Sequence, residues 1–492
     1  MTTSLQESRR ASAETLSPPK DVEKAQPPKH EVPADGEDAG QASVATCSQP
    51  GEDPFLVHLD AEERPKSFSF ARKVVILAVI SSGALCSTFA SSVVAAAEQG
   101  MAETFRVSQE VTVLGISLFA LGVALGPLFV GPLSEVYGRS PVYQVSYALF
   151  FAFTWPVAFA SHISVFLVFR FVTGFCSAAF LTVAGGSVSD MWAGHQVGIP
   201  TAVYTMCPFI GPALGPLVSG FINQNTSWRW TYRVLLILIF VHVLAIFALI
   251  PETYEPALRK YKAKRLRNLT GDSRYYAPLD RREGTLAVLI LVSCYRPFEL
   301  LLMDSMNLLL DLWTAMVFGI LYLTFEAYPY IFGINHGFNL QCIGLAFIGM
   351  GTGMILGTGV NIWIIVAWHK RHPGASPTPE THLLSGMLGA VAVPASLYWL
   401  AFTSYAGVHW AAPVLATALF GAGVVFCFSA TFTYLVSAYR PRAASAMAAN
   451  TFARSVFAAA FPLFARQMYA RLNTDGATAL LAGVMTVAAP LP

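Results

Sequence analysis

The chain has 492 residues, of which 54% are hydrophobic and 12% are charged, and its formal net charge is +2 at pH 7. Soluble domains carry about 25% charged residues, so this composition excludes an ordinary soluble protein and predicts a polytopic membrane protein. A net charge so close to zero also gives no reason to expect a nucleic-acid partner.

Residues 1–68 differ in composition from the rest of the chain. They are rich in Pro, Ser, Glu, Lys and Gly and poor in aromatic residues, and such a segment cannot bury enough apolar surface to order itself. They also lack the basic and apolar regions of a cleaved signal peptide. We therefore expect 1–68 to be a disordered cytoplasmic tail.

Twelve apolar stretches follow the tail. A helix needs about 20 apolar residues to cross the hydrocarbon core, and all but the last stretch meet that length. The predicted spans are 73–96, 111–134, 141–160, 163–188, 199–222, 231–250, 303–332, 340–367, 382–404, 410–438, 443–470 and the short 476–492. They predict an all-α protein with two six-helix bundles, 69–250 and 303–492, around a central cavity.

Basic residues predict the orientation of these spans. Lys and Arg concentrate in the loops after even-numbered spans, and the loops after spans 3, 7 and 9 contain none. Because basic loops remain on the cytoplasmic side, we expect a cytoplasmic N-terminus. The basic segment 259–282 lies in a cytoplasmic linker at 251–302, where it forms either a solvated connection or an amphipathic helix on the lipid surface.

A ten-residue charged loop at 131–140 joins the second and third spans. Its glycines permit tight turning and close helix approach, and its charged groups can form charge-assisted hydrogen bonds with neighbouring helix ends. We expect this loop and the end of the fourth span to hold one conformation of the protein, although an ordinary charged loop also accounts for Arg139. The latch residues, as we call them, are Gly131, Glu135, Gly138, Arg139 and Asp190.

The fifth span carries glycines and prolines at helical spacing. Gly211 and Gly215 lie four residues apart on one helix face, where small residues let two backbones pack closely, and Gly220 follows on the same span. Pro212 and Pro216 each remove a backbone donor and can bend the helix. Ordinary membrane-helix packing explains the same residues, because Gly and Pro are frequent in such helices.

Ionisable residues occur deep within the predicted spans. Arg170 and Glu326 lie at similar depths, about 10 Å below the outer ends of spans 4 and 7, and such charges are costly and mark transport pathways by default. Burial favours the neutral form of a carboxyl group, so we expect Glu326 to bind a coupling proton. Arg170 would modulate that site or contact substrate. Asp311 and Arg454 form a second possible charge pair, unless Asp311 lies in the membrane interface.

Aromatic residues accompany these charges. Aromatic walls with few polar groups suit bulky or amphipathic substrates, although membrane packing explains any single aromatic residue equally well. The amide of Asn450 has the stronger individual case, since a buried amide needs hydrogen-bond partners. The residues expected around the substrate cavity are Tyr322, Phe325, Phe428, Tyr434, Asn450 and Phe452.

The ordered set of motifs resembles the major facilitator superfamily, and within it the twelve-span drug:proton antiporters of fungi. The resemblance is carried by the segments 131–140, 166–174, 211–220, 228–230, 251–254, 296–298, 319–323, 325–327 and 449–452. It implies that 211–220 is an antiporter motif that limits leak of protons or substrate. It also implies export of drugs, polyamines or secondary metabolites across the plasma membrane.

Enzyme signatures such as H-E-x-x-H, G-x-S-x-G or a phosphate-binding loop are missing from the sequence. We expect no enzyme activity, no cofactor and no metal site, but a monomer driven by a proton gradient, with a small-molecule substrate, protons and membrane lipid as its partners. Two alternatives stay open. The 211–220 segment argues against import of a nutrient or vitamin, and the buried charges argue against a receptor that does not transport.

Overall fold

The structure is a computed structural model that describes residues 53–192, 196–281, 286–372, 379–439 and 442–491. Over these residues the chain consists of helices and turns, with one isolated β-bridge between Leu56 and Tyr276. The helices of the first half are α1 Phe70–Ser92, α2 Glu98–Phe105, α3 Gln109–Tyr137, α4 Arg139–Ala158, α5 Ile163–Ser177, α6 Ala179–Thr182, α7 Ala184–Met191, α8 Gly198–Asn225 and α9 Arg229–Leu249.

The second half follows a connecting region that is itself partly helical. Its helices, with those of the connection, are α10 Glu255–Thr270, α11 Leu286–Met303, α12 Ser305–Tyr328, α13 Leu340–Arg371, α14 Pro379–Thr403, α15 Ala411–Ala438 and α16 Ala443–Ala488. Asn473 has a positive φ of 58° and divides α16 into two parts. That break lies between the predicted eleventh and twelfth spans.

The helices confirm the two six-helix bundles. Within the described residues, nine helical segments are long and apolar enough to cross a membrane by length and composition. The remaining predicted spans correspond to α4 and to the two parts of α16. The first span is longer than predicted because a 3-10 turn continues α1 into α2, and the fourth is divided into α5, α6 and α7. The bundles pack against each other through α3 with α16 and α8 with α13.

The seventh span begins slightly later than predicted, and its start has a local cause. Asp304 has an extended backbone, and its Oδ1 accepts hydrogen bonds from the backbone N–H groups of Met306 at 3.0 Å and Asn307 at 3.3 Å. An aspartate in that position caps a helix N-terminus. It therefore separates α12 from the preceding helix α11.

Residues 53–68 differ from the predicted disordered tail, whose remainder, 1–52, lies outside the described residues. This segment packs against α10, where Nζ of Lys262 lies 2.7 Å from a carboxylate oxygen of both Asp60 and Glu63. The hydrogen bond from Lys262 also lowers the pKa of Asp60. The composition of the tail could not reveal these contacts, because the surface that orders it comes from a distant part of the chain.

The linker at 251–302 holds two helices. Six of the basic residues, from Arg259 to Arg267, lie on α10, whereas Arg274 and Arg281 follow it. A helix here agrees with one of the two alternatives for this segment, and its contact with lipid stays a prediction. The second helix, α11, was not predicted, because we assigned its residues to the linker. It packs against α3 and α16, whereas Leu291 and Tyr295 on its other side are exposed.

Candidate transport cavity and gates

A cavity lies between the two bundles. The first bundle contributes residues of α1, α3, α6 and α8, and the second contributes residues of α12 and α16. The polar part of the lining consists of Ser87, Thr88, Ser91, Tyr322, Arg454 and Ser455. A cavity lined by both bundles changes shape whenever the bundles move against each other, which is the arrangement that a rocking transporter needs.

Aromatic rings beside the cavity also connect the bundles. The ring centroids of Phe209 on α8 and Phe428 on α15 are 4.7 Å apart, and Phe318 on α12 lies 5.7 Å from Phe428. Phe209 and Phe318 line the cavity directly. Such an apolar wall favours substrates with a flat or bulky apolar body.

Three of the predicted cavity residues lie at the cavity. Tyr322 lines it, and its hydroxyl lies 2.7 Å from Oγ of Ser91 in the other bundle. Phe428 borders it through its contact with the cavity-lining Phe318. The hydroxyl pair of Ser91 and Tyr322 places a polar contact between the bundles at the edge of the cavity.

The third is Phe325, whose ring lies 5.1 Å from that of the cavity-lining Tyr322 and 5.9 Å from that of Phe347. The other two predicted aromatic residues face elsewhere. Phe452 packs edge-on against Phe298 of α11 at 4.9 Å, and Tyr434 packs with the small apolar cluster at the start of α12. Helix α11 offers both an apolar surface that the sequence analysis did not include.

Asp311 and Arg454 do not form the charge pair that we considered. Asn450 Nδ2 donates to Oδ1 of Asp311 at 2.9 Å, and Asn307 Nδ2 donates to Oδ2 at 2.8 Å. All three of these side chains are fully buried. The expectation that Asn450 has hydrogen-bond partners is met, but these partners link α12 to α16 outside the cavity lining.

Arg170 is buried among backbone carbonyl groups. Its Nε donates to the carbonyl of Gly115 at 2.9 Å, and its two terminal nitrogens donate to the carbonyls of Ala90 at 2.9 Å and Ser91 at 3.2 Å. The guanidinium also lies 4.5 Å from the ring centroid of Phe119. Arg170 thereby ties α5 to α1 and α3, which differs from the expected contact with the proton site or the substrate.

A carboxyl pair joins the bundles at the predicted outer side. Glu98 at the start of α2 lies close to Glu326 on α12, and the two residues are only 8% and 4% exposed. Nε of Arg466 on α16 lies 3.7 Å from Oε2 of Glu326. Two carboxyl groups can share a hydrogen bond only when one of them is protonated, so Glu98, Glu326 and Arg466, here called the carboxyl cluster, form a candidate proton-binding site between the bundles.

Two members of the carboxyl cluster were missed in the sequence. Glu98 lies just beyond the predicted end of the first span, and Arg466 lies near the outer end of the eleventh. Both carry a charge close to a predicted span end, where a charged side chain ordinarily reaches water. The signal that could have drawn attention to them is that each is close in depth to Glu326.

Polar contacts around the carboxyl cluster also connect the bundles. Arg466 donates to Oε1 of Gln109 at the start of α3, and Nε2 of Gln467 donates to Oε1 of Glu110 at 3.2 Å. These residues lie at one end of α3 and at one end of the first part of α16. The distribution of basic loops predicts that both ends are on the outer side. The contacts therefore close the cavity on its predicted outer side.

The latch residues Arg139 and Asp190 lie together at the opposite ends of the spans. Nε of Arg139 lies 3.4 Å from Oδ2 of Asp190, and another guanidinium nitrogen donates to Oγ of Ser134 at 2.6 Å. The guanidinium also stacks over the ring of Tyr254 at 4.7 Å. Glu135 lies half-buried in the last turn of α3. The contacts of Arg139 thus join α3 and α4 to the end of α7, as we expected for a latch.

Glu252 is a further part of this latch. Its Oε1 accepts hydrogen bonds from the backbone N–H groups of Arg139, Thr253 and Tyr254, and its Oε2 accepts from that of Ser140. A carboxylate that accepts several backbone N–H groups at a helix start is a strong cap. The connection between α3 and α4 is therefore held by Glu252, which follows α9, as well as by Asp190 on α7.

The two glycines of the latch are not equivalent. Gly138 has a φ of +100°, and a Cβ there would lie 2.8 Å from the carboxyl carbon of Glu252. Gly131 is helical, and a Cβ there would lie 3.8 Å from the Cγ2 of Thr182, which is an ordinary contact. The close approach that we expected at Gly131 is thus absent, whereas the tight turn at Gly138 does require glycine.

We therefore expect Gly138→Ala to impair the latch and Gly131→Ala to be tolerated. A positive φ costs a non-glycine residue about 1–3 kcal/mol, and the added methyl group would also displace Glu252. The measurement is substrate flux per molecule at the cell surface, with thermal unfolding of the purified variants. Equal behaviour of the two variants would contradict this account of the loop.

The glycines of the fifth span form close helix contacts. A Cβ at Gly211 would lie 2.8 Å from the amide nitrogen of Phe89, and one at Gly215 would lie 2.9 Å from that of Val93, both on α1. A Cβ at Gly220 would lie 2.6 Å from the carbonyl oxygen of Leu340 in the other bundle. Helix α8 continues through this segment, and both prolines of the segment, Pro212 and Pro216, are buried. The tight interface expected here is present, and its role against leak stays a prediction.

Two six-helix bundles that enclose a shared cavity, with polar contacts between them on its predicted outer side, define a polytopic membrane transporter. The chain belongs to the Major Facilitator Superfamily, whose family model matches residues 80–462.

Curated relatives cover most of the chain. It is 40% identical to the efflux pump atB of Aspergillus terreus over 471 residues, which are 93% of this chain and 90% of that protein. It is 39% identical to the probable drug/proton antiporter YHK8 of Saccharomyces cerevisiae, over 88% of this chain and 85% of that protein. The expected family is thereby confirmed.

Solved structures share the fold at low sequence identity. The proton:xylose symporter XylE of the major facilitator superfamily matches with a TM-score of 0.62 and 14% identity, over 86% of this chain and 95% of that one. The human organic anion transporter MFSD10 matches with a TM-score of 0.60 and 16% identity, over 85% and 99%. At such identities these structures bear on the fold alone.

Proposed function

We propose that this protein exports small amphipathic organic compounds across the plasma membrane in exchange for protons. The observation that carries the proposal is the carboxyl cluster, because it places two buried carboxyl groups from opposite bundles, where a proton can bind, at the contacts that close the predicted outer side. Similarity to an efflux pump and to a probable drug/proton antiporter supports the direction of transport and the coupling ion.

The carboxyl cluster supplies a physical link between the proton and the outer gate. When Glu98 and Glu326 share a proton, they attract each other and hold the outer side closed. When the proton leaves toward the cytoplasm, two carboxylates face each other with Arg466 as the nearby cation, and their repulsion favours opening. A proton from outside then restores the closed state after the substrate has left, which is the order of events in antiport.

The remaining parts of the proposal follow from the architecture. One chain supplies both bundles and every residue of the cavity lining, so a monomer is sufficient for transport. Proton exchange by carboxyl groups requires no cofactor. The Lys and Arg residues in the loops after even-numbered spans support a cytoplasmic N-terminus.

The direction of flux tests the proposal. A growth assay with a panel of toxic compounds, in a yeast strain lacking its own pumps, first selects a compound to which this protein confers resistance. Inside-out vesicles with an acidic lumen should then accumulate that compound, and nigericin, which dissipates the pH difference, should stop the accumulation. Flux in the opposite direction would instead indicate an importer, and the absence of any flux would indicate a receptor.

A further inference from the structure

Arg454 lies in the cavity wall near the middle of the membrane. Its side chain lines the cavity and is only 7% exposed. The guanidinium carbon lies 5.1 Å from the ring centroid of Phe318, 5.5 Å from that of Phe432 and 5.7 Å from that of Phe428. A permanent positive charge therefore sits among three aromatic rings of the second bundle.

Arg454 differs from Arg170 and Arg466 in the partners of its guanidinium group. Nε of Arg454 is buried and has no hydrogen-bond partner, and none of the ion pairs among the residues that the structure describes involves it. Arg170 donates to three carbonyl groups, and Arg466 pairs with Glu326. Asp311, the carboxylate we had considered for Arg454, accepts from two amides instead.

A buried guanidinium without an anion is costly, and aromatic faces offset only part of that cost. The ionisable groups near it are the hydroxyls of Tyr204 and Tyr322. Neither of them supplies a negative charge at neutral pH. A ligand with an anionic group would therefore neutralise the positive charge of Arg454 in the cavity.

We propose that the substrates are organic anions, each with an apolar or aromatic body, and that Arg454 binds their carboxylate or similar acidic group. The planar fork of a guanidinium binds two oxygens of such a group at once. The rings of Phe318 and Phe209, which line the cavity, then contact the apolar body. This inference rests on the proposed export function, because it names the class of compound exported.

The proposed charge has a consequence for energetics. Export of a monovalent anion in exchange for one proton moves two positive charges inward in net terms, one as the entering proton and one as the departing anion. The inside-negative membrane potential then drives transport together with the pH gradient. Export of a neutral compound by the same exchange would move only one charge.

Three probes with one naphthalene body test the proposal by binding. They are the anion 1-naphthalenesulfonate, the neutral 1-naphthalenesulfonamide and the cation 1-naphthylmethylammonium, and their affinities come from the rise in unfolding temperature of the purified full-length protein. We expect the sulfonate to bind about tenfold or more tightly than the sulfonamide. The cation should bind most weakly, because Arg454 repels it.

Variants of Arg454 separate its charge from its shape. Arg454→Gln should bring the sulfonate down to the affinity of the sulfonamide, and Arg454→Lys should retain part of the preference, because it keeps the charge but loses the fork. Arg233→Gln is the matched control, since Arg233 lies on α9 over the rings of Phe159 and Trp230. It should leave the order of the three probes unchanged.

Two outcomes would overturn the inference: equal binding of the three probes to the wild-type protein, or a sulfonate preference that survives Arg454→Gln. If Arg454→Gln does not fold, the wild-type order and Arg454→Lys still decide. The proposed export function fails separately, through absence of proton-driven flux in vesicles. Proton-driven export of neutral or cationic compounds, with no anion preference, would refute this inference and keep that function.

Discussion

Replacing Glu326 by Gln should abolish proton-driven accumulation in inside-out vesicles while exchange of substrate across the membrane continues. A glutamine amide can donate a hydrogen bond to Glu98, so the variant imitates the protonated carboxyl cluster. It cannot release a proton, so the pH gradient no longer changes the state of the outer gate. The measurement compares uptake driven by an acidic lumen with counterflow of labelled substrate at equal pH on both sides.

Two further variants make the Glu326 result specific. Glu98→Gln should also remove proton-driven uptake, because the shared proton needs a carboxyl group on each bundle. Glu110→Gln is the control at the outer rim, where the Glu110 carboxylate only accepts a hydrogen bond from Gln467, and it should retain coupled transport. If Glu326→Gln kept the pH dependence of the wild type, the coupling proton would have to bind elsewhere.

Sequence predicts those features of the fold that depend on residues close together in the chain. A run of about 20 apolar residues indicates a membrane span, and basic loops indicate the side of the membrane on which each span ends. The contact between Arg139 and Asp190 was also predictable. Both residues lie at the predicted cytoplasmic ends of spans of one bundle, so each is within reach of the other.

The carboxyl cluster could not be assembled from sequence in the same way. Glu98, Glu326 and Arg466 come from three distant parts of the chain, and only Glu326 lies well inside a predicted span. A hydropathy pattern gives the depth of a residue in the membrane but not the direction in which its side chain points. Asp311 and Arg454 illustrate this limit, since Asp311 faces Asn450 and Arg454 faces the cavity.

Packing from unpredicted elements accounts for the remaining differences. Phe452 was expected at the cavity, but α11 provides the ring of Phe298 on another side. Residues 53–68 have the composition of a disordered segment, yet Lys262 of α10 holds two of their carboxylates. In each case the deciding surface belongs to the connection between the bundles, where the sequence analysis did not predict α11 and considered only lipid or water as the contact of α10.

Arg170→Lys should destabilise the protein strongly without changing the pH dependence of the transport that remains. A lysine ammonium is compact and cannot reach the carbonyls of Gly115, Ala90 and Ser91 together, as the guanidinium does. Each buried carbonyl left without a donor costs about 1–3 kcal/mol, so loss of two such hydrogen bonds costs about 2–6 kcal/mol. Thermal unfolding and surface abundance measure this loss.

The pH profile of the residual transport distinguishes the two roles considered for Arg170. A tie between α1, α3 and α5 predicts fewer folded molecules, each with normal proton coupling. A group that modulates Glu326 predicts normal abundance with a displaced pH optimum, and that result would refute the structural role. Arg233→Lys is the control for the replacement of an arginine by a lysine. The contacts of Arg233 with Phe159 and Trp230 require only a cation over an aromatic face.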